Sequence, residues 1–293
     1  METPGGRIES DKDDDPAYAF HRCMTGLDML LRAHYLAFKD PSVFPISTHD
    51  LRPAVLYGCY TQDGQWHILS TIMMHPEAVR FDRPVAHPEK TGRPLESVTR
   101  DAMNGHTFVT SVLWRGRARR ALRFRGDNVA CIISLQTSVE SMLYSTWRML
   151  MVDEGRDHQY IEHRLAQDTP FKTLVVTILP RALGGRWDVS ATGTPVARYW
   201  SDVYQVRNRI VHAGIEPGYS AAEAADRTVT GLHDFVTERL WAKRRIYPRT
   251  LLAHIGPDGP SNRGWSDSRY DALIGELVAE PLPWFWPHDV AGR

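Results

Sequence analysis

The feature that most constrains this chain is a succession of four amphipathic helical patterns between residues 127 and 245. In each pattern apolar residues recur every three to four positions, a spacing that places them on one face of an α-helix. The joins between the patterns are short, so neighbouring helices have to turn back on one another. The patterns are separated by residues typical of helix starts and stops, namely Asp127, Thr169 with Pro170, Gly214, and Ser220 with Glu223 as a capping box. The sequence therefore predicts an antiparallel helical bundle.

The segments that flank the bundle carry other patterns. The first residues are polar and acidic, as is typical of a solvated, disordered tail, and a helical pattern covers residues 17–38. Two β-prone runs on either side of Gln62, Asp63 and Gly64 predict a β-hairpin between Ala54 and Met74. The aromatic end, PLPWFWP, is either a docking peptide or a flap that closes over the core. We expect a mainly α protein with four parts: an acidic tail (1–16), an N-terminal α+β region with the hairpin (17–125), the bundle (126–246) and a C-terminal extension (247–293).

Composition excludes several classes of protein. The 293 residues include 35 basic and 35 acidic side chains, so a polyanion such as RNA has to be bound by a local patch of positive charge. Cys23, Cys59 and Cys131 lie far apart and form no C-x-x-C pair, which is typical of a reducing compartment and argues against a structural zinc site. The sequence shows neither a leader pattern nor about 18 consecutive apolar residues. We therefore expect a cytoplasmic protein with no membrane span.

The third helical pattern contains a charge where an apolar residue is expected. Arg207 falls near the centre of its apolar stripe, and an unpaired buried guanidinium costs several kcal/mol. Arg207 must therefore meet a carboxylate or open into a polar cleft or a subunit interface. Asn208 and His212, four residues apart, are adjacent on the flank of the stripe, and the C-terminal end of a helix favours the imidazolium form of His212. The stripe itself consists of Val196, Tyr199, Trp200, Val203, Tyr204, Ile210 and Val211.

The segment VYQVRNRIVHAG resembles the HEPN superfamily, whose members are all-α and carry an R-x4-6-H pattern. Here Arg207, Asn208 and His212 form that pattern. The upstream segment ISLQTSVESML, which includes Glu140, is similar to the first long helix of HEPN proteins, particularly of the ApeA-like branch. Only Arg207 is followed directly by Asn within a helical bundle, although other Arg and His residues occur at permitted spacings: Arg249 with His254, Arg100 with His106, Arg156 with His163, and Arg80 with His87.

The resemblance implies metal-independent RNA cleavage, without a cofactor, that gives 2′,3′-cyclic phosphate and 5′-hydroxyl ends. His212 would be the general acid or base and Arg207 would stabilise the phosphorane. Asn208 would position the phosphate or the catalytic pair, and Glu140 would orient Arg207 or line the cleft. The family usually sets two motifs against each other across a dimer, so a homodimer is expected. A role as toxin or antiviral effector, with a neutralising or activating partner, is an analogy alone. The alternative is a non-catalytic module that binds nucleotide, RNA or protein.

A second candidate RNA contact is a run of six arginines within eleven residues. With Trp114 and Phe124 beside it for stacking, the run suits phosphate contacts, and the alternative is an ordinary solvated face. The arginines are Arg115, Arg117, Arg119, Arg120, Arg123 and Arg125.

Several residues also have ordinary structural explanations. Arg207 could form a buried salt bridge between two helices, and His212 could be a helix C-terminal histidine. Cys131 lies on an apolar helical face, which favours a core residue over a nucleophile. His158, Glu162 and His163 have the spacing of metal ligands, but no further strong donor is nearby in the sequence, so no metal site is predicted.

Overall fold

The computed structural model describes residues 16–40, 43, 54–60, 66–73, 106–167 and 169–279. The chain divides into two compact units, Met1–Thr99 and Arg100–Arg293. Three predicted features lie outside the described residues: the acidic tail up to residue 15, the Gln62, Asp63 and Gly64 turn, and the PLPWFWP end.

In the first unit the described elements are one helix and two strands. Helix α1 (Pro16–Phe38) agrees with the helical pattern of the sequence. Strands β1 (Ala54–Tyr60) and β2 (Trp66–Met73) pair antiparallel, and their register shifts between Tyr57 and Gly58. Residues 61–65, which join the strands, are not described, so the predicted hairpin turn stays a prediction.

The second unit is helical, which confirms the predicted fold class in its coarse form. None of its described helices, nor α1, combines the length and the apolar content that a membrane span requires. The antiparallel, HEPN-like arrangement of the helices stays a prediction. The helices are α2 (Val109–Arg120, continued by a π-helical turn, Ala121–Arg125), α3 (Asn128–Asp153), α4 (His158–Ala166), α5 (171–183), α6 (195–213), α7 (Tyr219–Ala242), α8 (Pro248–Ile255) and α9 (Ser268–Ala279).

The helix boundaries follow from local chemistry, with two exceptions. Asp127 caps α3 as predicted, because its Oδ1 accepts a hydrogen bond from the Ala130 amide at 2.8 Å. Gly214 ends α6 in the left-handed conformation, with φ of 64°, which glycine adopts without strain. The predicted capping box at Ser220 does not form, since α7 already begins at Tyr219 and has no side-chain cap. Nor does Thr169 cap α5, which begins at Phe171 after Pro170.

The core of the second unit is built around α3. The α3 side chains Leu135, Val139 and Leu143 are buried, and α2, α7 and α8 all pack against this helix. Small residues on the buried face of α2, such as Gly116 and Ala118, allow it to approach α3 closely. The sequence assigned α2 to the N-terminal region, whereas the structure groups it with the bundle.

Helix α8 and the residues after it also belong to this core. Asp153 at the end of α3 accepts hydrogen bonds from the Arg249 amide at 3.1 Å and from the Thr250 amide at 2.9 Å. It thereby satisfies amides at the start of α8, which otherwise lack partners. Leu251 of α8 and Tyr270 of α9 are buried in the same hydrophobic cluster. The segment that the sequence marked as a C-terminal extension thus begins as part of the bundle.

Candidate active site

Helix α6 carries the Arg207 motif and contains a π-helical turn. Thr194 caps the helix, since its Oγ1 accepts a hydrogen bond from the Ala197 amide at 3.2 Å. The π-helical turn, Trp200–Tyr204, then widens the helix by one residue and shifts the register of the residues after it. Val211, which the sequence placed on the buried stripe, is therefore 51% exposed near the end of α6.

Arg207 is half-buried on this helix and has no carboxylate partner among the described residues. Its Nη1 donates a hydrogen bond to Oδ1 of the neighbouring Asn208 at 3.1 Å. Asn208 is also half-buried, so the amide orients the guanidinium without neutralising it. Of the arrangements that the sequence left open for Arg207, a buried salt bridge is therefore not the one found. The guanidinium is available for an anion.

Glu140 reaches the same region through a buried hydrogen-bond chain between α3 and α6. The Tyr199 hydroxyl donates to Oε1 of Gln136 at 2.7 Å, and Nε2 of Gln136 donates to Oε1 of Glu140 at 2.9 Å. Tyr199 and Gln136 are buried, while Glu140 is half-buried at the end of the chain. These hydrogen bonds hold the Glu140 carboxylate and the Gln136 amide in fixed positions.

Glu140 and Arg207 have opposite effects on the pKa of Tyr199. Burial raises the pKa of the Tyr199 hydroxyl well above its usual value, and the negative charge of Glu140 raises it further. The hydrogen bond with Gln136 and the positive charge of Arg207 lower it. The pKa of one hydroxyl therefore responds to both charged residues, which places both within electrostatic range of Tyr199.

Sequence reasoning missed Gln136 and Tyr199 as parts of this site. Tyr199 was assigned only to the apolar stripe, since its ring is buried there. A signal for Gln136 was present, because a glutamine on the buried face of α3, four residues before Glu140, has to satisfy its amide somewhere.

His212 lies on the last turn of α6 and is exposed. Among the described residues no hydrogen bond or ion pair holds its imidazole in place. Five residues separate it from Arg207, which corresponds to about 7.5 Å along the helix axis and about 140° around it. The two side chains of one helix therefore point to different sides.

Three of the six arginines in the run between 115 and 125 have internal roles. Arg119 Nε donates to both carboxylate oxygens of Asp226 on α7, each at 3.2 Å. Arg115 lies 3.8 Å from the same carboxylate and donates a hydrogen bond to Thr230. Arg120 is buried, with 9% of its surface exposed. Because α2 packs against α3 and α7, the arginines on its inner side are held by the bundle and do not form a phosphate-binding face.

The other three arginines lie nearer the surface. The Arg117 guanidinium lies over the Trp114 ring, 4.4 Å from its centroid. Arg123 and Arg125 are exposed in the π-helical turn after α2, on either side of Phe124, which is 45% exposed. The RNA contact of the run stays a prediction, and Arg123 and Arg125 are its exposed members.

The remaining candidates are structural. Cys131 is fully buried, and burial, followed by the charges of Asp226 and Asp127, raises the pKa of its thiol to about 12. Such a thiol is a core residue and not a nucleophile. Glu162 pairs with Arg148 at 3.2 Å, and within the described part of the chain no three potential metal ligands come together.

The competing pair Arg249 and His254 is not arranged as an open site. Nε2 of His254 is buried, and it has no hydrogen-bond partner in the described residues. Burial, followed by the charges of His233, Arg263 and His106, lowers the pKa of His254 well below its usual value. The imidazole is therefore neutral and enclosed, whereas the His212 ring is accessible.

The chain matches no protein-family model, no curated protein and no solved structure. The capabilities of the site therefore have to be inferred from its own chemistry. It offers a cation that meets no carboxylate in the described part of the chain, an amide beside that cation, a hydrogen-bonded carboxylate and an accessible imidazole. Such a set can bind a phosphate and transfer protons without a metal ion.

Proposed function

We propose that this protein is a metal-independent endoribonuclease. The observation that carries the proposal is Arg207, a half-buried guanidinium with no carboxylate partner in the described residues, on the same helix as the accessible imidazole of His212. A buried cation without an acid is costly unless an anion reaches it, and a phosphodiester is such an anion. The resemblance of this segment to HEPN proteins supports the same activity.

The proposed reaction is an internal transfer of the RNA phosphate. The ribose 2′-oxygen attacks the phosphorus, the bond from phosphorus to the 5′-oxygen breaks, and the products carry a 2′,3′-cyclic phosphate and a 5′-hydroxyl. One imidazole accepts the proton of the 2′-hydroxyl or gives a proton to the leaving 5′-oxygen, which is the role assigned to His212. Arg207 stabilises the additional negative charge of the phosphorane, with Asn208 holding its guanidinium in place. DNA lacks the 2′-hydroxyl and is not a substrate.

A composite site from two copies fits the geometry better than a site within one chain. Arg207 and His212 of one helix point about 140° apart, so one phosphate meets both types of group more easily between two facing helices. Apolar residues next to His212 in the chain are exposed as a dimer interface requires, with Val211 at 51% and Ile215 at 44%. We therefore propose a homodimer in which the α6 helices face each other.

One observation favours a second candidate, a binding module that does not cleave RNA. A catalytic imidazole is usually oriented by a third group, and among the described residues none bonds to His212. In such a module Arg207 and Asn208 would anchor a phosphate without chemistry. The two candidates differ in one result, which is whether bound RNA is cut.

The test compares cleavage of labelled single-stranded RNA by the wild type and by two histidine variants in EDTA. His212→Ala should abolish cleavage, whereas His158→Ala, which removes another exposed histidine of the same unit, should not change it. Unfolding in urea should show that both variants lie within about 1 kcal/mol of the wild type. Equal cleavage by His212→Ala, or cleavage only with added metal, would overturn the proposal. Binding of RNA without cleavage would support the binding module.

A further inference from the structure

Three aromatic rings form a stack, two of them on α6 shortly before the Arg207 motif and one on α5. The Trp200 and Tyr204 rings lie nearly parallel, with centroids 4.0 Å apart and an interplanar angle of 18°. Tyr204 also stacks on Phe171 of α5, with a centroid distance of 5.9 Å and an angle of 19°. All three rings are partly exposed. Trp200 is the end of the stack, because within the described residues Tyr204 is its only ring partner.

Core packing accounts for only part of the position of these rings. Tyr199 and Val203, from the same stretch of α6, are fully buried, and the Tyr199 hydroxyl bonds to Gln136 of α3. Trp200 and Tyr204 pack against the core as well but stay partly exposed. Parallel indole and phenol rings that are partly exposed leave apolar ring surface accessible, and proteins that bind single-stranded nucleic acids use such rings to stack bases.

Two cations lie close to the stacked rings in the chain. Arg207 lies three residues after Tyr204, which is about one helical turn and about 5 Å further along the helix axis. Lys172, the residue after Phe171, is exposed, and its ammonium group forms no ion pair or hydrogen bond with the described residues. Asp202, the acidic residue within the π-helical turn, is engaged elsewhere, since it accepts hydrogen bonds from Thr228 at 2.9 Å and from Ser201 at 2.6 Å. Stacked rings with positive charges close by in the chain are the groups that bind the bases and phosphates of a nucleic-acid strand.

We infer that Trp200 and Tyr204 form a base-stacking subsite, in which an unpaired base of single-stranded RNA lies on Trp200 while a neighbouring phosphate of that strand meets Arg207. The inference rests on the proposed function and adds a substrate class to it: unpaired RNA, bound through the face of a base and therefore with little sequence preference. The π-helical turn carries both rings, with Tyr204 about one turn and Trp200 about two turns before Arg207.

The test measures binding without chemistry. The probe is a short, labelled, single-stranded RNA with 2′-O-methyl groups, which lacks the nucleophile and cannot be cleaved. Its affinity is measured by fluorescence anisotropy for the wild type, Trp200→Leu and Trp200→Phe. Leucine keeps an apolar contact with Tyr204 but has no π-face, so binding should weaken about 5- to 150-fold, the loss expected for one stacked base. Phenylalanine should restore most of the affinity.

Trp265→Leu is the matched control. Trp265 is also partly exposed and stacked, on Trp241 at 5.1 Å, but it lies outside the proposed site. Its variant should bind the probe like the wild type. Circular dichroism and thermal melting establish that each variant is folded.

Three results would overturn the inference. The first is a Trp200→Leu variant that binds the probe with wild-type affinity. The second is a Trp265→Leu variant that loses as much affinity as Trp200→Leu. The third is a Trp200→Leu variant whose oligomeric state changes while its RNA affinity does not, which would assign the stack to a contact with a second copy of the chain. The ribonuclease proposal is tested separately. If the probe binds through Trp200 and unmodified RNA is not cut, the subsite stands and the nuclease fails; if RNA is cut and Trp200→Leu binds normally, the nuclease stands and the subsite fails.

Discussion

Helices α2 and α6 both carry arginines, and the two helices use them in opposite ways. On α2 the charge is dense, yet Arg115 and Arg119 share one carboxylate, Asp226 of α7. On α6 Arg207 meets an amide, with no carboxylate among the described residues. The charges of Arg115 and Arg119 are neutralised within the protein, whereas the charge of Arg207 is left for a ligand to neutralise.

The difference teaches that the number of positive charges in a segment does not identify a phosphate site. A guanidinium paired with a carboxylate has already exchanged its water shell for a fixed partner, so an incoming phosphate has to displace that partner. A half-buried guanidinium that meets only an amide retains most of its attraction for an anion. Substitutions on the two helices should therefore separate these two kinds of arginine.

The largest expected effect is on activity at Arg207. Arg207→Ala should lower the rate of RNA cleavage about 10²- to 10³-fold, the loss typical of removing one group that stabilises transition-state charge. Its free energy of unfolding should change by about 1 kcal/mol or less, because no carboxylate is left behind. Single-turnover cleavage and urea unfolding measure the two quantities. Arg209→Ala, which removes an exposed arginine of the same helix, is the control and should cleave normally.

Replacing Asp226 should lower stability and leave activity unchanged, the reverse of the effect expected at Arg207. Asp226→Ala leaves Arg115 and Arg119 without their shared carboxylate between α2 and α7, and the free energy of unfolding should fall by about 2–3 kcal/mol. Cleavage by the folded fraction should not change. On the same helix, Glu223→Ala breaks only an exposed pair with Arg227 and should cost about 0.5 kcal/mol or less. Comparable losses in both variants would show that the α2 arginines are not held by Asp226.

Tyr199 tests the buried chain that orients Glu140. Tyr199→Phe removes the hydrogen bond to Gln136 and leaves the amide oxygen buried without its donor, which should cost about 1–2 kcal/mol. Cleavage should fall less than in Arg207→Ala, since Glu140 has an indirect role. Tyr160→Phe, at an exposed position, should leave stability unchanged. A Tyr199→Phe protein as stable as the wild type would contradict the hydrogen-bond chain.

The smallest effect is expected at the exposed end of the α2 run. Replacing Arg123 and Arg125 with Ala should reduce the slope of log affinity for RNA against log salt concentration by about 1–2, because up to two phosphate contacts are lost. Affinity titrations over a range of salt concentrations measure this slope. An unchanged slope would mean that Arg123 and Arg125 do not contact RNA phosphates.

The sequence predicted the helical class and the start of α3 well, because Asp127 and the apolar spacing are local signals. It also identified Arg207 as an anomaly, since a charge within an apolar stripe is visible without coordinates. The salt bridges of Arg115 and Arg119 could not be predicted, because Asp226 lies more than 100 residues away in the chain. The exposure of Val211 was missed because the π-helical turn before it leaves no clear sequence signature.

The chemistry of the RNA ends tests the central claim most directly. Wild-type protein is incubated with an unlabelled single-stranded RNA in EDTA, and the fragments are analysed by mass spectrometry. The proposed reaction predicts a 2′,3′-cyclic phosphate on each upstream fragment and a 5′-hydroxyl on each downstream fragment. His212→Ala should give no such fragments, and Arg207→Ala should form them about 10²- to 10³-fold more slowly. Fragments with 3′-hydroxyl and 5′-phosphate ends, or intact RNA, would contradict it.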